Sequence, residues 1–293
     1  MVKTYADISG DGGSGVLEQV VAQRERLAAR LADVKRIVAV LSGKGGVGKS
    51  ALTANLAAVL ADRGLRVGAL DADLSGPTLA QMIGARGQTL RLSSEGVEPA
   101  IGAAGVMVMS IDLLLETDDT PVDWRSLEGL AEDTFVWRGT METTAVREFL
   151  TDTIWGKLDI LLIDLPPGVE RFSTLARLIP KLGGLAVTIP SAASHLVVRR
   201  AVRAAQASGG TLLGLVENMA GYLCSNCWEV WPLFARQPEG ENLAAELGLP
   251  FLGSIPFAPR LTRACNDGQP FVLTHPGSPR AGALEKIAAR ISS

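Results

Sequence analysis

Aromatic side chains make up only 5% of this 293-residue chain, which holds three cysteines and two histidines. So small and odd a cysteine count excludes a disulfide framework and suits a reducing compartment. Charge of one sign is lacking too: 28 Lys plus Arg stand against 31 Asp plus Glu, a net of −3. That near balance gives no general pull toward nucleic acid or anionic lipid, so neither is an expected partner. No apolar run approaches the ~20 residues that cross a bilayer. Met1 to Gly15 offers no basic region followed by a hydrophobic core, so no secretory leader is expected and the expected location is cytoplasmic. What remains, 47% hydrophobic and 20% charged residues, is the composition of a folded chain.

At ~150 residues per domain the length fits two domains or one large α/β domain. Residues 1–15, with Gly10, Gly12, Gly13 and Gly15, read as a flexible tail. From Val16 the apolar residues Leu17, Val20, Val21, Leu27, Leu31 and Val34 recur at helical spacing, which predicts an entry helix over 16–34. Short apolar runs follow: Ile37–Leu41, Val67–Leu70, Val106–Met109, Ile160–Ile163, Leu185–Ile189, Leu212–Val216 and Phe251–Ile255. Several are apolar at consecutive positions, as in strands buried on both faces of a parallel sheet. Helical patterns near 49–62, 141–152, 194–207, 241–247 and 280–291 separate them. This alternation predicts an α/β fold, a doubly wound, mostly parallel sheet flanked by helices. Nothing resembling a linker divides 16–293, so a single domain is expected there.

Gly43-Lys44-Gly45-Gly46-Val47-Gly48-Lys49-Ser50, with Ala51 next, fits G-x-x-x-x-G-K-[ST] between a predicted strand and a predicted helix. Phosphate oxygens need several backbone N–H groups at once, and glycines let the chain wrap that closely. Lys49 is placed to reach the β- and γ-phosphates of ATP, and the Ser50 hydroxyl to help hold Mg²⁺. Lys44 reads either as a solvated loop lysine or as a cation reaching phosphates across a dimer interface. Asp164 ends the strand before Leu165-Pro166-Pro167-Gly168 and is the candidate for the magnesium side, with the Gly168 N–H as a γ-phosphate sensor. Asp71 and Asp73 close another strand before Leu74-Ser75-Gly76-Pro77, a second switch-like loop.

These motifs, in this order, resemble the Mrp/ApbC family of iron–sulfur cluster carrier ATPases within the MinD/ParA-like group of P-loop proteins. The matching pieces continue through Trp137-Arg138-Gly139, Trp155-Gly156-Lys157-Leu158-Asp159, Val216-Glu217-Asn218-Met219, Cys224-Ser225-Asn226-Cys227 and Leu252-Gly253-Ser254-Ile255-Pro256. The resemblance covers roughly residues 35 to 290. It implies an ATP-hydrolysing homodimer that binds a cluster between subunits and passes it to recipient apoproteins. By position it makes Lys44 the intersubunit lysine, Asp73 the residue that positions the attacking water, with Asp71 beside it, and Asn218 the adenine reader. The chain after Pro256 then flanks the base.

Cys224 and Cys227 form a C-x-x-C pair in a predicted hairpin at about 222–234, and Cys265 stands apart as a small packing residue. Iron–sulfur clusters and structural zinc are usually held by four ligands. One pair supplies two thiolates, and a two-fold axis would supply four, which predicts a [4Fe-4S] cluster bridging a homodimer. A bridged zinc and a redox dithiol are the alternatives. His195 and His275 have no cysteine nearby and read as structural or solvated, and Arg199, Arg200 and Arg203 as a solvated helix face.

Four departures from the family pattern stand out. The family's Pro-Pro-Gly-Thr-Gly-Asp gives way to Gly168-Val169-Glu170-Arg171, a charged pair in the switch that bears on the hydrolysis rate. Its Thr-Pro-Gln becomes Ile189-Pro190-Ser191-Ala192, and its glycine-rich stretch after the cysteines becomes Arg236-Gln237-Pro238-Glu239-Gly240. An insertion around 121–135 reads either as a short lid helix or as a surface excursion. Two other function classes share the loop chemistry: a MinD/ParA-like positioning ATPase, and a weakly hydrolysing nucleotide-dependent regulator.

Overall fold

Residues 16–114, 134–233 and 239–293 are described by the computed structural model of this protein. The expectations for the tail at 1–15, for 121–133 of the insertion and for 236–238 lie outside them. The first half runs α1 (Val16–Arg30), β1 (Val34–Ser42), α2 (Lys49–Asp62), β2 (Val67–Asp71), α3 (Leu79–Ile83), β3 (Arg91–Ser93), β4 (Gly96–Glu98), β5 (Ala100–Ile101) and β6 (Met107–Met109). After it come α4 (Thr134–Asp152), β7 (Leu158–Asp164), α5 (Glu170–Leu178), β8 (Leu182–Thr188), α6 (Ala192–Ala207) and β9 (Thr211–Leu223). The rest is β10 (Val230–Trp231), α7 (Gly240–Leu247), β11 (Phe251–Phe257), α8 (Arg260–Asn266), α9 (Phe271–Thr274) and α10 (Pro279–Ser292).

The strands order as β10-β9-β8-β1-β7-β2-β6-β5, with β11 also pairing β9. β1 is parallel to β7 and β8 on its two sides, and β2 to β7, so the consecutive apolar runs do become buried central strands. Antiparallel pairing is confined to the margins, at β10 and β5. One layer, built on α2 and α10, packs Leu52, Leu56, Leu60, Leu284, Ile287 and Ile291 against the sheet. The opposite layer, from α1, α4 and α5, closes over it with Leu27, Leu150, Trp155 and Phe172. Trp155 is fully buried and its Nε1–H donates to the Leu150 carbonyl at 3.2 Å.

The entry helix stops at Arg30, short of the predicted 34, and Val34 opens β1 instead. The Lys181 ammonium donates to the carbonyls of Leu31 and Val34, giving the chain leaving the helix polar partners that a further turn would take away. Elements absent from the sequence reading are mostly short ones: the β3–β4 hairpin, α3 and α9, whereas the helical stretch expected around Cys265 is α8. The nine-residue α5 is the exception, since Glu170 and Arg171 read as loop but form its first turn. Trp137-Arg138-Gly139 lies within α4. Among the described residues no helix is long and apolar enough to cross a membrane.

Candidate functional site

The C-terminal ends of β1, β2 and β7 and the middle of β9, at Asn218, converge on the loop from Gly43 to Gly48. Gly48 caps α2 in the left-handed region (φ 79°), which favours glycine. A Cβ there would also lie 2.5 Å from Nδ2 of Asn218. At Gly43 the constraint is packing: a Cβ would sit 2.7 Å from the Val197 backbone on α6. The loop is thus wedged between α2, α6 and the middle of β9. Ser42 Oγ donates to the Lys44 carbonyl at 2.9 Å, fixing the loop's first turn. Lys44, Gly48, Ser50 and Ala51 are half-buried, Gly45 and Gly46 are exposed, and Val47 is buried in the core below.

Lys49 is buried, and its Nζ donates to Asp164 Oδ1 at 2.9 Å. Thr53, one turn along α2, donates from Oγ1 to the Lys49 carbonyl at 3.0 Å and to the same carboxylate oxygen at 3.3 Å. Asp164 Oδ2 is buried with no hydrogen-bond partner. An ionised oxygen left unpaired in the interior is costly, so its place beside the loop marks where a cation or its water belongs. Ser50 and Asp164 therefore fit a magnesium ion in residue type and position. The Gly168 N–H donates to the Ser42 carbonyl at 2.9 Å. In this conformation it is engaged with β1, so a γ-phosphate could be met by this N–H only after that bond opens.

Asp71 takes a different role from its neighbour. Its Oδ2 accepts from the N–H of Thr78 and of Leu79, both at 2.9 Å, and its Oδ1 from the Asp73 N–H at 3.1 Å. These bonds close the 72–78 loop on itself. Burial first, and the charge of Asp164 second, push the Asp71 carboxyl up to about 7. Asp73 is half-buried on the rim of the same site, its carboxyl also raised by burial and drawn back by Lys49.

Asn218 and Pro256 arrive together because β9 and β11 are parallel, with Asn218 opposite Ile255. The Asn218 amide donates to the Val47 carbonyl at 2.8 Å, while its buried Oδ1 has no partner. An unpaired buried acceptor on the loop fits the amino group of a purine base. Pro256 is held from behind by the buried Arg280, whose Nη1 donates to its carbonyl at 2.6 Å. The preceding residue, Glu217, is fully buried, with its Oε1 3.5 Å from His195 Nε2 and its Oε2 accepting from Ser254 Oγ at 3.4 Å. His195 is thus structural, as read. Arg199 is engaged as well, paired with Glu246 through both its Nε and its Nη2.

β9 bends just past Asn218, where Met219 takes a positive φ (55°) and the register against β11 shifts, and it ends at Leu223, with Cys224 opening the hairpin. The Cys224 N–H donates to the Glu229 carbonyl and the Trp228 N–H to the Cys224 carbonyl. Cys224 is half-buried and Cys227 exposed, both free, while Cys265 is buried on α8. Backbone N–H groups of Cys227 and Asn226 hold the Cys224 thiol below its usual range. The hairpin leans on α8 and α9: the Arg260 guanidinium lies 5.6 Å from the Trp228 ring and donates to the Ser225 carbonyl. His275 stacks on Phe271 at 4.5 Å and meets Trp228 at 5.8 Å. Among the described residues no group of three or more His, Cys, Asp or Glu is placed to hold a metal, so the hairpin offers two thiols.

Sequence reasoning missed Thr53, Arg280, Glu217 and Glu142. The first three are buried polar side chains: Glu217 lies beside Asn218 in a family-matching piece but had no role read for it, and Thr53 and Arg280 offered only a polar residue among apolar ones.

A family model described as ParA, NUBPL iron-transfer P-loop NTPase, matches residues 33–131 and 126–292. An iron-sulfur cluster carrier protein of Saccharolobus solfataricus is 38% identical over 278 residues, 94% of this chain and 89% of its own. The human cytosolic Fe-S cluster assembly factor NUBP2 is 40% identical over 267 residues, 89% of this chain and 93% of its own. Among solved structures, a nucleotide-binding protein from Archaeoglobus fulgidus in complex with ADP superposes with a TM-score of 0.69 at 34% identity, covering 84% of this chain and 91% of that one. The cell division ATPase MinD of Pyrococcus furiosus gives 0.61 at 25% identity, covering 88% and 98%. With the phosphate loop, the paired strand-end aspartates and the thiol hairpin in place, the chain belongs to the ParA-type, NUBPL iron-transfer family of P-loop NTPases.

Proposed function

We propose that this protein is an ATP-hydrolysing iron–sulfur cluster carrier, one domain over 16–293, that holds its cargo between two copies and hands it to recipient apoproteins in the cytoplasm. One observation carries the reading: a single strand, β9, bears the unpaired Asn218 acceptor at the nucleotide loop and, after a bend at Met219, leads into the Cys224/Cys227 hairpin. The relatives' names as carrier and assembly factors support it.

At the nucleotide end, the loop's N–H groups and the start of α2 bind the phosphates. Lys49 leaves Asp164 to reach them, and Lys44, at the rim, meets the phosphates of the partner copy. Magnesium, held by Ser50 and the Asp164 side, supplies charge neutralisation when bound. Asp73, with its raised carboxyl, orients the attacking water and accepts its proton. At the cargo end two thiols from each copy give the four ligands that a [4Fe-4S] cluster takes, with a bridged zinc as the competing occupant. The C-terminal helix, α10, buries Leu284, Ile287 and Ile291 in the core, so these side chains are not available to a lipid surface as a membrane-positioning ATPase would need.

Anaerobic reconstitution of wild type and Cys224→Ala, followed by visible absorption and size-exclusion chromatography, tests the reading. A brown dimer is expected from wild type and a colourless monomer from the variant. Equal colour in both would overturn it, and a zinc-loaded dimer would replace the cargo.

A further inference from the structure

Glu142, on α4, touches both nucleotide-side segments, the tip of the 72–78 loop and the start of α5. One of its carboxylate oxygens, Oε2, is ion-paired with Arg171 at the start of α5, directly after the Gly168 loop. The other, Oε1, accepts from Ser75 Oγ at 3.3 Å, at the tip of the loop that carries Asp73. Arg171 also donates from Nη1 to Thr143 Oγ1, so its guanidinium is fixed at two points on α4. Both members of the ion pair are largely buried, at 17% and 16% exposure, which puts the contact in the range where breaking one partner is felt.

The two loops also meet at their bases, where the Ala72 N–H donates to the Asp164 carbonyl at 2.9 Å, and each has an anchor of its own. The 72–78 loop is tied at its base to Asp71, and the 165–169 loop to Ser42 through the Gly168 N–H. Ser75 stands exposed at the far end of the first loop, away from the Asp71 bonds. A cavity of about 10 Å³, lined by Ala72, Thr143, Leu165 and Arg171, lies between them, room for about one water. The bases of the two loops share the core through Ala72, Leu74 and Leu165, whereas the exposed tip at Ser75 is joined to the Arg171 side by polar contacts to α4.

We propose that Glu142 is a positioning residue that gangs the two loops, so that closure of one on a nucleoside triphosphate carries the Asp73 loop into place. This rests on the ATPase reading above, deepening it without touching the cargo end. Glu142 acts through Ser75 and Arg171, and its charge is also one of the lesser influences that raise the Asp73 carboxyl.

The test uses the full chain with Glu142→Gln, Arg171→Met, the double variant, and the charge swap Glu142→Arg with Arg171→Glu. The swap keeps both contacts, because the serine hydroxyl accepts from a guanidinium as readily as it donates to a carboxylate. Each single variant should lower kcat for ATP about tenfold with KM within about twofold, the mark of a lost transition-state arrangement. The double should be no worse than the worse single, since the pair acts as one unit, and the swap should restore most of the loss. Hydrogen exchange adds a readout free of turnover: a non-hydrolysable ATP analogue should protect 72–78 and 165–169 together in wild type, but only 165–169 in Glu142→Gln. Wild-type kcat in both singles, an additive double, or joint protection of both loops in Glu142→Gln would each overturn the proposal. A wild type that binds the analogue and protects both loops yet hydrolyses no ATP would sink the ATPase reading while supporting the tie.

Discussion

Acidifying the nucleotide-free protein from pH 8 to pH 5.5 should make it more stable, and Asp71 is the reason. Its carboxyl is 1% exposed and is carried from 3.8 to about 7 on folding, by burial first and the neighbouring Asp164 second, despite the three N–H groups it accepts from. A group whose pKa rises on folding gives stability that is full below its unfolded value and lost as the pH climbs through its folded one. At ~1.4 kcal/mol per pH unit, a rise of about three units bounds the effect near 4 kcal/mol. The stretch from pH 7 down to 5.5 returns about 2 kcal/mol of it. Glu217, also raised by burial, acts in the same direction. Asp159, held low by Arg66 and Lys35, gives up its contribution only below this window. Urea denaturation in EDTA at constant ionic strength, followed by far-UV circular dichroism, reads the slope directly. Asp71→Asn should lose overall stability, because an amide cannot accept from Thr78, Leu79 and Asp73 at once, and should also flatten the slope. Wild-type stability that is level or falling on acidification, or a slope that survives Asp71→Asn, would refute the reasoning.

Two further outcomes follow from the same geometry. Asn218→Ala removes the donor to Val47 and the unpaired acceptor together; ATP affinity should fall about tenfold, in line with ~1–1.5 kcal/mol for one good hydrogen bond, and the preference over GTP should shrink, both readable by competition with a fluorescent nucleotide. Gly43→Ala forces a methyl to within 2.7 Å of the Val197 backbone, an overpacking that should cost about 1–3 kcal/mol in thermal melts without nucleotide, whereas an unchanged melting temperature would mean the glycine answers only to the phosphates.

The sheet was legible wherever burial on both faces forces a run of apolar residues, as at Ile37–Leu41 and Ile160–Ile163, because such a run has few other places to go. The entry helix ran too far in the sequence reading since Leu31 and Val34 continue its apolar rhythm. What ends it is the Lys181 ammonium, 147 residues from Val34, and no local pattern announces a partner that distant. The same limit hid α5. Glu170 and Arg171 look like loop residues until Arg171 finds Glu142, 29 positions away.

The site divides along the same physical line. Phosphate binding demands glycines, a lysine and a hydroxyl at fixed intervals on one short segment, and four-ligand metal chemistry demands thiols in pairs, so both segments stand out as candidates in one dimension. Roles that depend on where a side chain is aimed were not. Asp71 and Asp73 differ by two positions, yet the first spends both oxygens closing a loop while the second faces the rim, and a strand-end aspartate carries no mark of which it will be. Gly168 fits its motif, but its N–H goes to Ser42 because the β7 end lies against β1 here. If hydrolysis needs that N–H turned toward a phosphate, the Ser42 bond must break first. The ligand-free arrangement is then held by the same short-range contacts that nucleotide must exchange, and a switch of this kind is invisible in sequence because both of its states use identical residues.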